Sequence, residues 1–220
     1  MSKCTYCAIK FGAGPLRSIP LAAAVGEFRS GLSHGYDLFR LTAEDVGSYG
    51  QDIGLCIVDL LRELNAGPEN FKLLLDDFSP IWLVRYFPEL LELFSTEHRR
   101  IKYICLPIQS GSERILQLMA REYTAEEARR CLLALKKAAP EIDLRTHVLV
   151  GFPGETEEDF AETLDFLKSV KFNLVSIYNY SERVGTEATT FPGKIPERVK
   201  LQRVWRTIRE LPRGQAVSTL

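Results

Sequence analysis

The chain has 220 residues, 45% of them hydrophobic and 26% charged, enough for one domain with its own core and no need of disulfide staples. Lys and Arg number 28 against 29 Asp and Glu, so there is no global electrostatic case for binding nucleic acid or an anionic membrane surface. No apolar run approaches the ~20 residues of a membrane span. No basic start precedes a short apolar stretch, as it would in a signal peptide. Five cysteines, an odd number without disulfide-like spacing, fit a reducing cytoplasm.

Cys4-Thr5-Tyr6-Cys7 comes first, followed by a glycine-bearing loop through Pro15. Residues 36–41 form an apolar run after His34-Gly35 and predict a strand. Apolar residues at helical spacing over 52–64 predict a helix, which Asn65-Ala66-Gly67-Pro68 stops. Residues 71–75 predict a short strand, 81–94 a helix broken at Pro88, 101–108 a strand and 113–119 a short helix. Thr124 and Glu127 have capping-box spacing and open a helix that ends before Pro140. Residues 142–150 predict a strand, and Thr156 with Asp159 caps a helix reaching about residue 170. Residues 174–180 form the last predicted strand, and Pro196 opens a final helix to 211. Five strands with helical crossovers predict a parallel α/β sheet, open or curled into part of a barrel. No strand precedes Cys4.

In such folds chemistry collects at the carboxyl ends of the strands. The unusual residues fall there: Thr42-Ala43-Glu44-Asp45, Gln109-Ser110-Gly111-Ser112, the run from Gly151 to Thr156, and the run from Tyr180 to Thr186. They are expected to share one mouth with Cys4 and Cys7. Taken singly, each has a plainer reading. A Gly-x-x-Gly is usually a turn, Ser-Gly-Ser before a helix is commonly an N-cap, and Glu44-Asp45 equally suits a solvated loop. Cys-x-x-Cys also suits a dithiol or half a zinc site. A loop rather than a long helix follows it here, and no suitably spaced second ligand pair exists. An iron–sulfur cluster needs more thiolates; in a Cys-x-x-x-Cys-x-x-Cys pattern the first would fall one position before Met1. Cys56, Cys105 and Cys131 read as buried small hydrophobes. His147 reads as a satisfied strand side chain rather than a ligand. Arg198, Lys200, Arg203, Arg206 and Arg209, with Trp205 among them, read as a solvated helix face rather than an RNA-binding stripe.

Together the motifs resemble the radical S-adenosylmethionine (SAM) superfamily, and within it the methylthiotransferases, over essentially the whole chain. The resemblance is carried by Leu106-Pro107-Ile108-Gln109-Ser110-Gly111-Ser112 with Met119-x-Arg121 and Tyr123-Thr124, by Val150-Gly151-Phe152-Pro153-Gly154-Glu155-Thr156, and by Ser181-x-Arg183-x-Gly185-Thr186. Cys4-x-x-Cys7-Ala8-Ile9-Lys10 and the stretch from Leu41 to Gly50 most resemble the branch acting on threonylcarbamoyladenosine in transfer RNA.

That resemblance implies a partial parallel (β/α) barrel. Residues 1–220 would be the core domain, incomplete at its N-terminus with the first strand missing. The family's N-terminal methylthiotransferase domain and C-terminal RNA-binding β-domain would lie outside this chain. It implies a 4Fe–4S cluster and SAM as cofactors, a 5′-deoxyadenosyl radical, and addition of a methylthio group to an inert carbon. Cys4 and Cys7 match the second and third cluster ligands. Tyr6 matches the aromatic near the adenine of SAM, and Glu44 the loop that meets its amino group. Gln109 and Ser110 match the ribose and methionine contacts, and Gly151 a backbone approach to adenine. Arg183 matches a partner for a carboxylate of SAM or substrate, or equally a structural ion pair. Implied partners are transfer RNA, for the intact protein, and an electron donor such as flavodoxin or ferredoxin, with no membrane. The fragment alone is expected to be inactive. Alternatives are methylthiolation of a ribosomal-protein aspartate and a non-catalytic barrel remnant that binds a ligand or partner. The open barrel edge is expected to invite pairing with another chain.

Overall fold

The computed structural model describes residues 3–67, 70–212 and 216–219. Six strands, β1 (Leu38–Leu41), β2 (Lys72–Leu75), β3 (Ile101–Cys105), β4 (Asp143–Val150), β5 (Leu174–Asn179) and β6 (Ala216–Thr219), pair in chain order. Every pairing is parallel. Helix α1 (Leu21–Ser33) precedes β1, and α2 (Ile57–Asn65) joins it to β2. Then come α3 (Pro80–Arg85) and α4 (Phe87–Thr96), α5 (Glu113–Leu118) and α6 (Ala125–Ala138), α7 (Glu157–Val170), and α8 (Glu197–Glu210). The predicted parallel α/β architecture stands, with one strand more than expected. The additional strand, β6, follows a stop at Leu211 and holds only Ala, Val, Ser and Thr, too little apolar sequence to register as a strand. Among the described residues β1 has no strand on its outer side, so the sheet ends there in an unpaired edge.

Several boundaries differ from expectation for local reasons. The helix expected over 52–64 starts at Ile57, because Gly50 and Gly54 take positive φ angles of 86° and 74° that a helix cannot contain. Cys56 is therefore an N-cap residue rather than core; its amide donates to the Asp59 carboxylate at 2.8 Å. The break expected at Pro88 falls at Tyr86, and Pro88 sits in the first turn of α4, where a missing N–H costs nothing. Pro68, part of the expected stop after α2, lies outside the described residues. Both predicted capping boxes form: Thr124 Oγ1 accepts from the Glu127 amide and Thr156 Oγ1 from the Asp159 amide.

The two faces of the sheet differ in chemistry. On β4, Leu144, Thr146, Val148 and Val150 are buried toward the helices, while Asp143, Arg145, His147 and Leu149 point the other way and are half-buried. The helix-side face joins Leu73, Leu75, Ile104, Val175 and Ile177 to Leu61, Leu90, Leu132, Leu167 and Phe160 in one continuous core. The opposite face is mixed, with Leu74, Cys105 and Leu149 among polar groups. Tyr103 bonds the Asp76 carboxylate, Arg145 stacks 3.9 Å from the Tyr103 ring centroid, and Ser176 meets Ser218 at 2.9 Å. Apolar burial on the helix side therefore supplies most of the driving force, and the inner face is left free for polar groups.

The loop after β3 is fastened to α7. Gly111 is required here, because a Cβ would lie 2.7 Å from Phe166 Cβ and 2.8 Å from the Glu162 carbonyl oxygen. Asp159 takes hydrogen bonds from Ser112 at 2.7 Å and from the Thr156 amide at 2.7 Å, and pairs with Arg114. Burial alone would raise the Asp159 carboxyl, but the bonds from Arg114, Thr156 and Ser112 outweigh it and hold the group well below the usual carboxylate range. A carboxyl depressed in the folded state stabilises it above the unfolded value near 3.9, and that stability disappears as pH falls. Asp159→Asn is therefore expected to cost roughly 1–3 kcal/mol at neutral pH and to flatten the decline of the urea midpoint below about pH 4. Parallel wild-type and variant denaturation curves from pH 7 to pH 3 check this; curves that fall in parallel would contradict it.

Candidate functional site

One residue brings the N-terminal segment across the carboxyl ends of the strands. Buried Thr5 donates its amide to the Met119 carbonyl at 3.2 Å and its hydroxyl to the Leu118 carbonyl at 2.8 Å, and its own carbonyl accepts the Ala188 amide at 3.0 Å. Thr5 thus ties the Cys-x-x-Cys segment to the end of α5 and to the loop after β5. The turn itself closes through the Cys7 amide and the Cys4 carbonyl at 3.3 Å. Lys10 reaches the Cys4 carbonyl and pairs with Glu187, each at about 3.3–3.4 Å. Cys4 is buried and Cys7 half-buried.

The structure places the expected site residues beyond the N-terminal turn on the segments that follow the strands, and brings Cys7 and Glu44 to one groove. Tyr6 meets Phe152 edge-on, ring centroids 6.3 Å apart, and Phe152 packs likewise on Tyr180 and Phe191. Burial raises the Tyr6 phenol above its usual range, with nearby Arg121 opposing. Glu44 is exposed on the loop after β1 and lines, with Cys7, Lys10 and Asp45, a groove of about 1040 Å³ that runs along the unpaired edge of β1 beneath α1. Gln109 prolongs β3 toward β4: its amide donates to the His147 carbonyl at 2.9 Å and its carbonyl accepts the Leu149 amide at 2.8 Å. It does so at φ 62°, a left-handed conformation rare for a residue other than glycine and favoured at functional sites. Gly151, at the end of β4, is needed for packing: a Cβ would run into the Lys200 side chain of α8. Arg183 is exposed on the loop after β5, its carbonyl accepting the Thr186 hydroxyl at 2.7 Å.

Ser110 departs from expectation. Its hydroxyl is buried against α7, 3.1 Å from Thr163 Oγ1, and accepts the Ser112 amide; it faces the helix layer and not the mouth. The cation run on α8 is also corrected. Lys200 and Arg203 are buried, Lys200 on the Tyr180 carbonyl and Arg203 on Glu155, and Arg206 pairs with Glu157 and Glu210. Lys200 and Arg203 thus belong to the packing, while Arg198, Trp205 and Arg209 are exposed, so the expected solvated face holds for only part of the run.

The structure adds residues that motif reading gave no role. Asp77, after β2 at φ 45°, faces His147 with 3.9 Å between carboxylate and Nδ1, and His147 Nε2 stands 3.4 Å from Cys105 Sγ. Burial pushes the Cys105 thiol up to about 12 and lowers His147, so thiol and neutral imidazole coexist on the inner face. Asp45 accepts the Trp82 indole N–H at 2.7 Å and the Ser79 amide at 3.1 Å. Arg121 donates to Cys4 Sγ at 3.1 Å, to the Pro107 carbonyl at 3.1 Å and to Ser79 Oγ at 3.3 Å. The signal for Asp77 lies in the sequence: Asp76-Asp77 follows β2 directly, as Glu44-Asp45 follows β1 after two intervening residues.

As a metal centre, the mouth offers two thiols on one turn beside a guanidinium. That chemistry suits an anionic iron–sulfur cluster, with Cys4 and Cys7 as two candidate ligands. Among the described residues no group of three His, Cys, Asp or Glu is arranged to hold a single metal ion, so a cluster would need a further ligand from elsewhere. No helix among the described residues is long and apolar enough to cross a membrane.

Comparison with known proteins agrees with this geometry. The model of the Radical SAM superfamily matches residues 1–167. The chain belongs to the radical SAM superfamily, and its curated relatives are methylthiotransferases. It is 35% identical over 188 residues to a probable threonylcarbamoyladenosine tRNA methylthiotransferase of Pyrococcus horikoshii, covering 86% of this chain and 44% of that protein. It is 38% identical over 209 residues to the ribosomal protein uS12 methylthiotransferase RimO of Moorella thermoacetica, covering 93% and 47%. The chain spans about half the length of the curated relatives it matches. In fold it resembles SuiB of Streptococcus suis bound to S-adenosylmethionine, with a TM-score of 0.61 at 15% identity over 99% of this chain and 47% of that one.

Thr5→Val is expected to cost about 1 kcal/mol, the net worth of one hydrogen bond, and to speed alkylation of Cys4 relative to Cys7. Urea denaturation and mass-spectrometric labelling rates check both; an unchanged ratio of labelling rates would show that the Thr5 hydroxyl does not hold the turn.

Proposed function

We propose that this chain is the catalytic core of a radical SAM methylthiotransferase that adds a methylthio group to a modified adenosine of transfer RNA. The observation that carries the reading is the seating of the Cys4-x-x-Cys7 turn, through Thr5, over a mouth rimmed by the loops that follow the parallel strands. The methylthiotransferase names of the relatives support the same class.

In this reading Cys4 and Cys7 hold two corners of a 4Fe–4S cluster. With SAM bound, the cluster supplies the one-electron chemistry that generates a carbon radical able to take hydrogen from an unactivated position. The protein's own residues bind, orient and exclude water. Tyr6, backed by Phe152, presents an aromatic face for the adenine. Glu44 offers a carboxylate to the SAM amino group, and Gln109, fixed by its two bonds to β4, positions the ribose and methionine portions. Gly151 keeps the end of β4 low, and Arg183 pairs with a carboxylate of SAM or substrate. Ser110 has no part in this set, since its hydroxyl is committed to α7. Below the mouth, Asp77, His147, Cys105 and Tyr178 give the substrate a polar floor. A flavodoxin- or ferredoxin-like protein would deliver the electron.

The 38% identity to a RimO protein favours one second reading, methylthiolation of an aspartate of ribosomal protein uS12. The two separate by assay. The intact protein, reconstituted anaerobically with iron, sulfide, SAM and a reductant, is expected to release 5′-deoxyadenosine and to form a 2-methylthio product in transfer RNA carrying threonylcarbamoyladenosine. Cys7→Ala is expected to abolish both. A product on uS12 alone would select the second reading. No 5′-deoxyadenosine under any condition would leave only a barrel that binds and does not react.

A further inference from the structure

We infer that Arg121 is the positioning residue for Cys4, and that its guanidinium serves as a fixed counter-charge raising the reduction potential of a cluster held there. The inference rests on the cluster-holding role proposed for Cys4 and Cys7.

Buried Arg203 pairs with the Glu155 carboxylate, and half-buried Arg145 with Asp143. The hydrogen-bond partners of Arg121 among the described residues are of another kind. They are the Cys4 thiol, the Ser79 hydroxyl, the Pro107 carbonyl and, at 3.4 Å, the Tyr123 phenol. They come from four separate segments, so the guanidinium is fixed in place by the N-terminal turn and by the ends of β2 and β3. Its face stacks on Tyr123, 5.3 Å from the ring centroid, and Tyr123 is in turn anchored on the Ile108 carbonyl at 2.8 Å. The carboxylate reached next is Asp45, one residue removed, through the Ser79 amide.

A guanidinium desolvated against neutral partners is under-compensated. A protonated thiol does not correct that, whereas a thiolate ligating an anionic cluster does. The geometry is the one such a pair requires, with an N–H aimed at the ligand sulfur. Reduction adds one negative charge to the cluster. A fixed cation and a hydrogen bond to sulfur stabilise that added charge and raise the potential. Lys at this position would keep the charge and lose the planar fork that reaches Cys4, Ser79 and Pro107 together.

The test is an EPR-monitored redox titration of the intact, anaerobically reconstituted protein as wild type, Arg121→Met and Arg121→Lys, with iron content and far-ultraviolet circular dichroism measured on each. At equal iron content, Arg121→Met is expected to shift the reduction equilibrium at least tenfold toward the oxidised cluster, about 59 mV for a one-electron couple, and Arg121→Lys to shift it less. Loss of iron from folded Arg121→Met with retention by Arg121→Lys would also support the counter-charge. An unchanged midpoint in Arg121→Met would overturn the inference, as would equal loss of iron and of helical signal in both variants, which would make Arg121 a fold residue only. A wild-type protein that assembles no cluster would instead remove the functional reading on which the inference stands.

Discussion

Thr5 spends its amide, hydroxyl and carbonyl on three partners drawn from α5 and from the loop after β5. Without that seam residues 3–12 would be held only by the side-chain contacts of Cys4, Tyr6 and Lys10, since Ile9 and Phe11 are exposed and the short helical turn between them buries no residue. With it, Cys4 is pressed against Arg121, Tyr6 against Phe152, and Lys10 against Glu187. A buried hydroxyl and two backbone bonds thus do what apolar packing does elsewhere in the chain. They are directional, so they fix orientation as well as position.

The rest of the architecture divides labour between two surfaces of one sheet. Toward the helices, continuous Val, Ile, Leu and Phe packing resists deformation. Toward the interior, four of the strands present polar groups near their carboxyl ends: Asp76 and Asp77 after β2, Cys105 on β3, His147 on β4 and Tyr178 on β5. Strain is placed at the same level. Asp77 and Gln109 both adopt left-handed backbone where strands end, and each is held by ladder-like bonds or by the rim around it. Parallel pairing with short strands keeps these ends level with one another, which is why residues more than a hundred positions apart meet.

Much of this was legible beforehand. Alternation of apolar runs with helical spacing gave five strands and most helices, because each strand facing a helix layer must carry branched apolar residues on one side. Both capping boxes were readable, since a threonine oxygen and an acid three residues later satisfy two amides locally. Less visible were features fixed by distant contacts. β6 is four small residues given strand form by pairing with β5. Ser110 looks like a mouth residue until Thr163 of α7 claims its hydroxyl. Lys200 and Arg203 look like solvent-facing cations until Tyr180 and Glu155 take them inside. Arg121 lies in the Met119-x-Arg121 motif, yet nothing along the chain joins it to a cysteine 117 positions away.

The polar floor has a consequence for how this framework can diversify. Leu149, His147 and Arg145 occupy alternate positions from the residues that hold β4 against its helices. Exchanging the former changes the chemistry of the inner face while leaving the packing made by the latter untouched.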